Sequence, residues 1–150
     1  MALKGQIDND LKTALLGGDR FKGEVLRGLK AVILNEEVAQ KKRDEGLTDE
    51  VIEQLIAREI KKRNESATIY DGAGRPELSE NERAEANVLA GYLPEQLSEA
   101  DILVTVQKVI VELGVSGPSA MGQVIGAVKK ELGNAASGAL IAQLVKNALQ

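Results

Sequence analysis

Tyr92-Leu93-Pro94-Glu95-Gln96-Leu97-Ser98 is the one stretch in which a rigid, helix-breaking residue stands between two strongly helical halves of the chain. Pro94 has no backbone donor and pushes Leu93 out of the helical region. Ser98 restarts a helix as an N-cap, with Asp101 three residues on. Tyr92, Leu93 and Leu97 flank the break with side chains large enough to pack it. The stretch therefore predicts a fixed elbow at 93–97 between a helical module at 1–92 and a second at 98–150.

On the N-terminal side the apolar residues recur at helical spacing. Leu3, Ile7, Leu11, Ala14 and Leu15 mark a helix over about 3–16, ended by Gly17-Gly18. Asp19 can cap the next helix, about 20–43, with Phe21, Val25, Leu29, Val32 and Ile33 as its stripe and Gly46 as its stop. Thr48 caps a third helix, and Asp49 and Glu50 suit its positive end. This helix runs toward Tyr70, and residues 71–76, rich in Gly and Pro, read as a loop. Ser79 with Glu82 forms a capping box for a fourth helix ending near Gly91.

Beyond Ser98, Ile102, Leu103, Val106, Val109, Ile110 and Leu113 form one amphipathic face. Its length and period favour helix over the strand that clustered Val and Ile would otherwise suggest. Two shorter helices follow, one entered through Pro118 and carrying Val124, Ile125, Val128 and Leu132, the other carrying Leu140, Ile141, Leu144, Val145, Ala148 and Leu149. The fold class is all-α: an antiparallel helical module followed by a small three-helix module.

Composition removes several kinds of chemistry. The 150 residues include no Cys and no His, so disulfides, thiolate metal sites and the commonest neutral-pH base are excluded. Acidic pairs such as Glu36-Glu37 and Asp49-Glu50 have no nucleophile or metal partner beside them, and Ser66, Ser119 and Ser137 have no histidine to activate them. No metal, cofactor or catalytic residue is expected. With no signal segment at Met-Ala-Leu-Lys and no apolar run of membrane length, the expectation is a soluble, cytoplasmic chain without a membrane role.

Net charge is −4, with 15 basic and 18 acidic residues in 1–92 against 4 and 5 in 93–150. An acidic total opposes non-specific binding to nucleic acid but leaves room for a local basic face. Arg58, Lys61 and Lys62 are spaced to share one side of a helix, next to Arg63. Pairing with Glu59 and Glu65 would make this a self-neutralised surface; phosphate contacts to RNA are the functional alternative. Lys41-Lys42-Arg43 sit where a helix end favours cations. Gly72-Ala73-Gly74 and the glycines at 114, 117 and 122 lack the spacing and the preceding strand of a phosphate loop, so they read as helix stops. The turn before Pro118 leaves one anion-binding option at a helix start. Tyr70 and Tyr92 could stack on an unpaired base, but filling a module boundary is the favoured role.

The run Gly91-Tyr92-Leu93-Pro94-Glu95-Gln96-Leu97-Ser98 resembles the middle of the YqeY-like proteins. So do Leu26-Arg27-Gly28-Leu29-Lys30-Ala31, Asn35-Glu36-Glu37, Arg63-Asn64-Glu65-Ser66 with Tyr70 and Gly74-Arg75, Met121-Gly122 and Gly138, in the same order along almost the whole chain. Gln123 departs from the Lys that often follows Met121-Gly122, which weakens a phosphate role there. Ser137 departs from the acidic residue that often precedes Gly138. This family is similar to the C-terminal tail of one component of the tRNA-dependent amidotransferase, a tail that carries tRNA rather than the catalytic parts. The resemblance implies a non-catalytic tRNA-binding or amidotransferase-associated accessory protein, with any glutamine-dependent carbon–nitrogen ligase activity belonging to the assembled enzyme. On that expectation the phosphate contacts are Arg58, Lys61, Lys62, Arg63 and Arg75, with Lys129 and Lys130 in the second module. A helical adaptor for a protein partner is the alternative, and part of a glutamine-dependent carbon–nitrogen ligase (amidotransferase) activity is a further one.

Overall fold

A computed structural model describes residues 2–150, and these are all-α: seven α-helices and two 3-10 turns, with no strand among them. The chain divides into two compact units, Met1–Leu93 and Pro94–Gln150, each with its own core.

In the first unit, α1 (Leu3–Leu16) and α2 (Arg20–Ala39) are joined at Gly17-Gly18, and Asp19 caps α2 by accepting from the Lys22 N–H at 3.1 Å. Gly23 of α2 is buried at a close approach. A Cβ there would lie 3.2 Å from the Leu15 side chain, which would have to shift by a few tenths of an ångström to admit it. Thr48 caps α3 (Asp49–Gly72) at 3.3 Å, and the Asp49 carboxylate accepts from the Leu3 N–H at 3.0 Å, so the start of α3 caps the start of α1. At the far end of α3, Gly74 adopts φ 71, and the Arg75 N–H returns to the Tyr70 carbonyl at 2.9 Å. The chain then doubles back into α4 (Pro76–Ala90). Ile7, Leu26, Leu29, Ile33, Ile52, Ile56 and Leu89 are essentially inaccessible and form the core of this unit. Each such burial stabilises by roughly 1.5–3 kcal/mol. Tyr92 and Leu93 pack on the edge of the same core.

In the second unit, Ser98 caps α5 (Glu99–Leu113) by accepting from the Asp101 N–H at 3.2 Å, and Ser137 caps α7 (Gly138–Leu149) by accepting from the Leu140 N–H at 3.1 Å. Ser137 thus supplies the side-chain acceptor that a helix start needs. Pro118–Ala120 form a 3-10 turn into α6 (Met121–Leu132), and Gly133–Ala135 form another after it. The core holds Ile102, Val106, Val109, Val124, Val128, Ile141, Leu144, Val145 and Leu149. Gln96 and Leu97 attach the first residues of this unit to it: the Gln96 amide donates to the Asn134 carbonyl at 2.9 Å, and the Leu97 N–H to the Ala135 carbonyl at 2.8 Å.

Several sequence expectations are corrected. Ser79 is not a cap: α4 begins at Pro76, with proline at the first helical position, and Ser79 is buried inside the helix beneath the Arg83 guanidinium. The α3–α4 loop is shorter than 71–76, because α3 continues through Gly72. α2 ends at Ala39 rather than near Arg43, since Lys41 adopts φ 57 and the Lys42 N–H closes on the Glu37 carbonyl at 2.7 Å. Lys41, Lys42 and Arg43 therefore lie in a turn beyond the helix end. Leu15 and Phe21 are 52% and 40% exposed, while Leu26, absent from the predicted stripe, is fully buried.

Candidate nucleic-acid interface

α3 carries the cationic residues singled out in the sequence, and its four-residue spacing sorts them by face. Arg58 and Lys61 are exposed, and neither has an ion pair among the described residues. Lys62 is also exposed but reaches Glu59 at 3.2 Å. The ammonium itself is 69% exposed and so remains open to an approaching anion, while the Glu59 carboxylate it meets is largely buried.

Arg63 has a different environment. Its side chain is only 19% exposed and bridges α3 to α4, contacting Glu59 Oε1 at 3.4 Å and Glu85 Oε2 at 3.2 Å and donating to the Glu59 carbonyl at 3.2 Å. The sequence placed Arg63 beside Arg58, Lys61 and Lys62; the fold separates it from their open face.

Toward the α3–α4 turn, Arg83 holds Asp71 at 2.6 Å, with the Ser79 hydroxyl beneath it. The Arg83 guanidinium keeps the Asp71 carboxyl below its ordinary range, and Asp71 in turn raises Arg83. A depressed carboxylate value stabilises above the unfolded value and loses that contribution as pH falls through the folded one. Arg75, at the N-cap position of α4, is exposed and pairs with Glu77 at 3.0 Å.

Lys129 and Lys130 belong to the second unit. Both are exposed in the last turn of α6, without an ion pair among the described residues. The Lys129 side chain extends over Gly138, where a Cβ would meet its Nζ at 3.0 Å. Lys108 is instead held by Glu131 at 2.8 Å, which raises its pKa.

Tyr92, a candidate for base stacking, donates its hydroxyl to Asp10 Oδ2 at 2.6 Å across 82 residues of sequence. Burial first, and the Asp10 carboxylate second, raise the phenol pKa. A raised value means that this contribution is complete below the unfolded pKa and is lost as pH rises through the folded one. Tyr92→Phe is expected to lower stability by about 1 kcal/mol at neutral pH, measured by urea denaturation. An unchanged midpoint would show that the bond to Asp10 contributes nothing.

Two α1–α2 sites were not legible in the sequence. Glu37 is 2% exposed and pairs with Lys4 at 2.8 Å, while Lys30 lies 2.8 Å from Asp8. That second ammonium approaches Asp8 Oδ1 off the hydrogen-bonding direction, leaving the buried oxygen without an aligned donor. Lys4, Asp8, Lys30 and Glu37 rim a cavity of about 290 Å³ floored by Ile7, Ile33 and Leu34. A larger one, about 520 Å³, opens where α1 passes into α2 and includes Arg20, Glu24 and Arg27. Arg27 makes no ion pair with Glu24 among the described residues, although the two lie three residues apart on α2. Among the described residues, no group of three His, Cys, Asp or Glu could hold a metal ion and no helix is long and apolar enough to cross a membrane.

Comparison with known proteins adds a family. A model of Yqey-like proteins matches residues 4–149. The "altered inheritance of mitochondria protein 41, mitochondrial" of Lachancea thermotolerans is 30% identical over 115 residues, which are 75% of this chain and 60% of that protein. The protein of the same name from Kluyveromyces lactis is 29% identical over 126 residues, 81% of this chain and 66% of that protein. The chain thus spans under two thirds of the length of these relatives.

Proposed function

The chain belongs to the YqeY-like family, and from that premise we propose that it is a non-catalytic module that grips the backbone of a structured RNA, with tRNA as the first candidate. The observation that carries the reading is the pair Arg58 and Lys61: two exposed cations on one helical surface that no carboxylate neutralises among the described residues. Lys62 stands beside them with a single ion pair, to the largely buried Glu59, and Arg75, Lys129 and Lys130 are the further contacts. Such contacts fix position rather than sequence. Work within a tRNA-dependent amidotransferase assembly, and residence in the cytoplasm, belong to the same proposal. The two named relatives are mitochondrial by name, so a tagged chain must be localised to decide the compartment.

The test is tRNA binding to the purified chain at about 50 and 200 mM salt, the interval over which phosphate contacts weaken strongly. Affinity is expected to fall with salt, and Arg58→Ala with Lys61→Ala to flatten the log–log slope by about 1.4–1.8, the share of two contacts. No binding at the lower salt would overturn the reading. It would favour a protein adaptor, for which α5 offers one specific observation: Val104 and Val111, one heptad apart, are 65% and 79% exposed.

A further inference from the structure

We propose that the cavity at the α1–α2 junction is a nucleotide site, in which Arg20 and Arg27 take a phosphate, Glu24 takes a ribose hydroxyl or base amine, and Ala14 and Leu15 form the wall under the base. The source of the nucleotide, an unpaired stretch of the RNA, rests on the function proposed above; the chemistry of the pocket does not.

The cavity is an open groove in which Arg20, Glu24 and Arg27 are exposed, and its volume of about 520 Å³ is within the range of pockets that hold small organic ligands. Arg20, Glu24 and Arg27 fall at i, i+4 and i+7, one face of α2, and all three line the cavity. None forms an ion pair among the described residues, although Glu24 has a cation four residues before it and another three after it. Two guanidinium forks that no ion pair engages among the described residues are suited to a phosphate, to which each can offer two parallel N–H donors.

Glu24 argues against a bare anion site. Its charge would repel phosphate alone, but a carboxylate beside the cations accepts the hydroxyl or amine hydrogens that a nucleotide carries and inorganic phosphate lacks. The remaining wall is apolar: Ala14 is buried, and Leu15 lies against Gly23, where a Cβ would approach within 3.2 Å. The exposed side of Leu15 then faces the cavity rather than the core. Two guanidinium groups, a hydrogen-bond acceptor and an apolar wall together are complementary to one unpaired nucleotide. The family-like run Leu26-Arg27-Gly28-Leu29 fits this division of labour, with Leu26 and Leu29 buried in the core and Arg27 in the cavity.

The experiment uses the full chain with a dye-labelled single-stranded RNA, and separately with adenosine 5′-monophosphate and inorganic phosphate followed by backbone amide shifts. Arg20→Gln with Arg27→Gln keeps good helix formers at exposed positions, and circular dichroism checks that the fold is retained. The variant is expected to bind the single strand at least tenfold more weakly, with a salt slope lower by about 1.4, while Arg58→Ala with Lys61→Ala leaves the Ala14 and Leu15 shifts intact. If the wild type binds no RNA but the monophosphate shifts these amides, and the shifts vanish in the variant, the pocket stands with free nucleotide as its source and the RNA reading falls. Unchanged single-strand affinity in the variant overturns the pocket even where tRNA binding through α3 persists. Equal shifts from inorganic phosphate and the monophosphate overturn the roles given to Glu24 and Leu15.

Discussion

Ile141→Ala is expected to unfold the second unit while the first stays folded. Ile141 is fully buried at the centre of the α5–α6–α7 core. Removing its side chain costs about 2–5 kcal/mol in transfer and cavity terms. A unit of fewer than 60 residues rarely has more than about 3–5 kcal/mol to lose. The first unit has a separate core, and none of that core's residues lies beyond Leu93. Thermal unfolding followed by backbone amide signals should show residues 98–149 unfolded at 25 °C, with Leu26 and Ile56 protected as in the wild type. One cooperative transition involving both sets of amides would show that the cores are energetically coupled.

Why these two cores are legible in the sequence, and other features are not, follows from the range of the forces involved. Caps and helix stops are local, so Asp19, Thr48 and Ser98 can be read as caps from their neighbours alone. Ser137 caps in the same way, but glycines on both sides of it read as a connection and hide the helix start. The apolar period of α5 likewise places Ile102, Val106 and Val109 inward. Ser79 misleads because two local signals compete. Proline at the first helical position begins α4 one turn earlier, and the hydroxyl is then used by Arg83 from the next turn. Leu15 misleads because its partner is a glycine on another helix, invisible to a pattern that counts apolar residues along one helix.

The charged residues show the same limit more sharply. Spacing along α3 groups Arg58, Lys61 and Lys62 on one surface, where two of them have no ion pair among the described residues. It cannot show that Glu37 is buried against Lys4, 33 residues away, or that Arg20 and Arg27 share a cavity. An ion pair within one helix is set by the 3.6-residue repeat; one between helices depends on how they pack, which exists only after the apolar faces have met.

Arg63 gives the measurement that separates architecture from binding. Its guanidinium lies between Glu59 and Glu85, whose side chains are only 12% and 26% exposed. Arg63→Met keeps the aliphatic length but leaves two poorly solvated carboxylates on facing helices. Glu59 keeps Lys62 at 3.2 Å, whereas Glu85 has no other ion-pair partner among the described residues. Leaving a largely buried charge unpaired costs about 3–5 kcal/mol when burial is complete, and the remaining solvent access brings the expected loss to about 2–3 kcal/mol. Urea denaturation at neutral pH measures it. Adding Glu85→Leu should recover more than half of the loss, because the unpaired charge is removed with the cation. The RNA affinity of the folded Arg63→Met chain should match the wild type, since Arg63 does not share the open face of Arg58 and Lys61. Stability within about 0.5 kcal/mol of the wild type, combined with weakened RNA binding, would reverse the assignment and return Arg63 to the phosphate-contacting set.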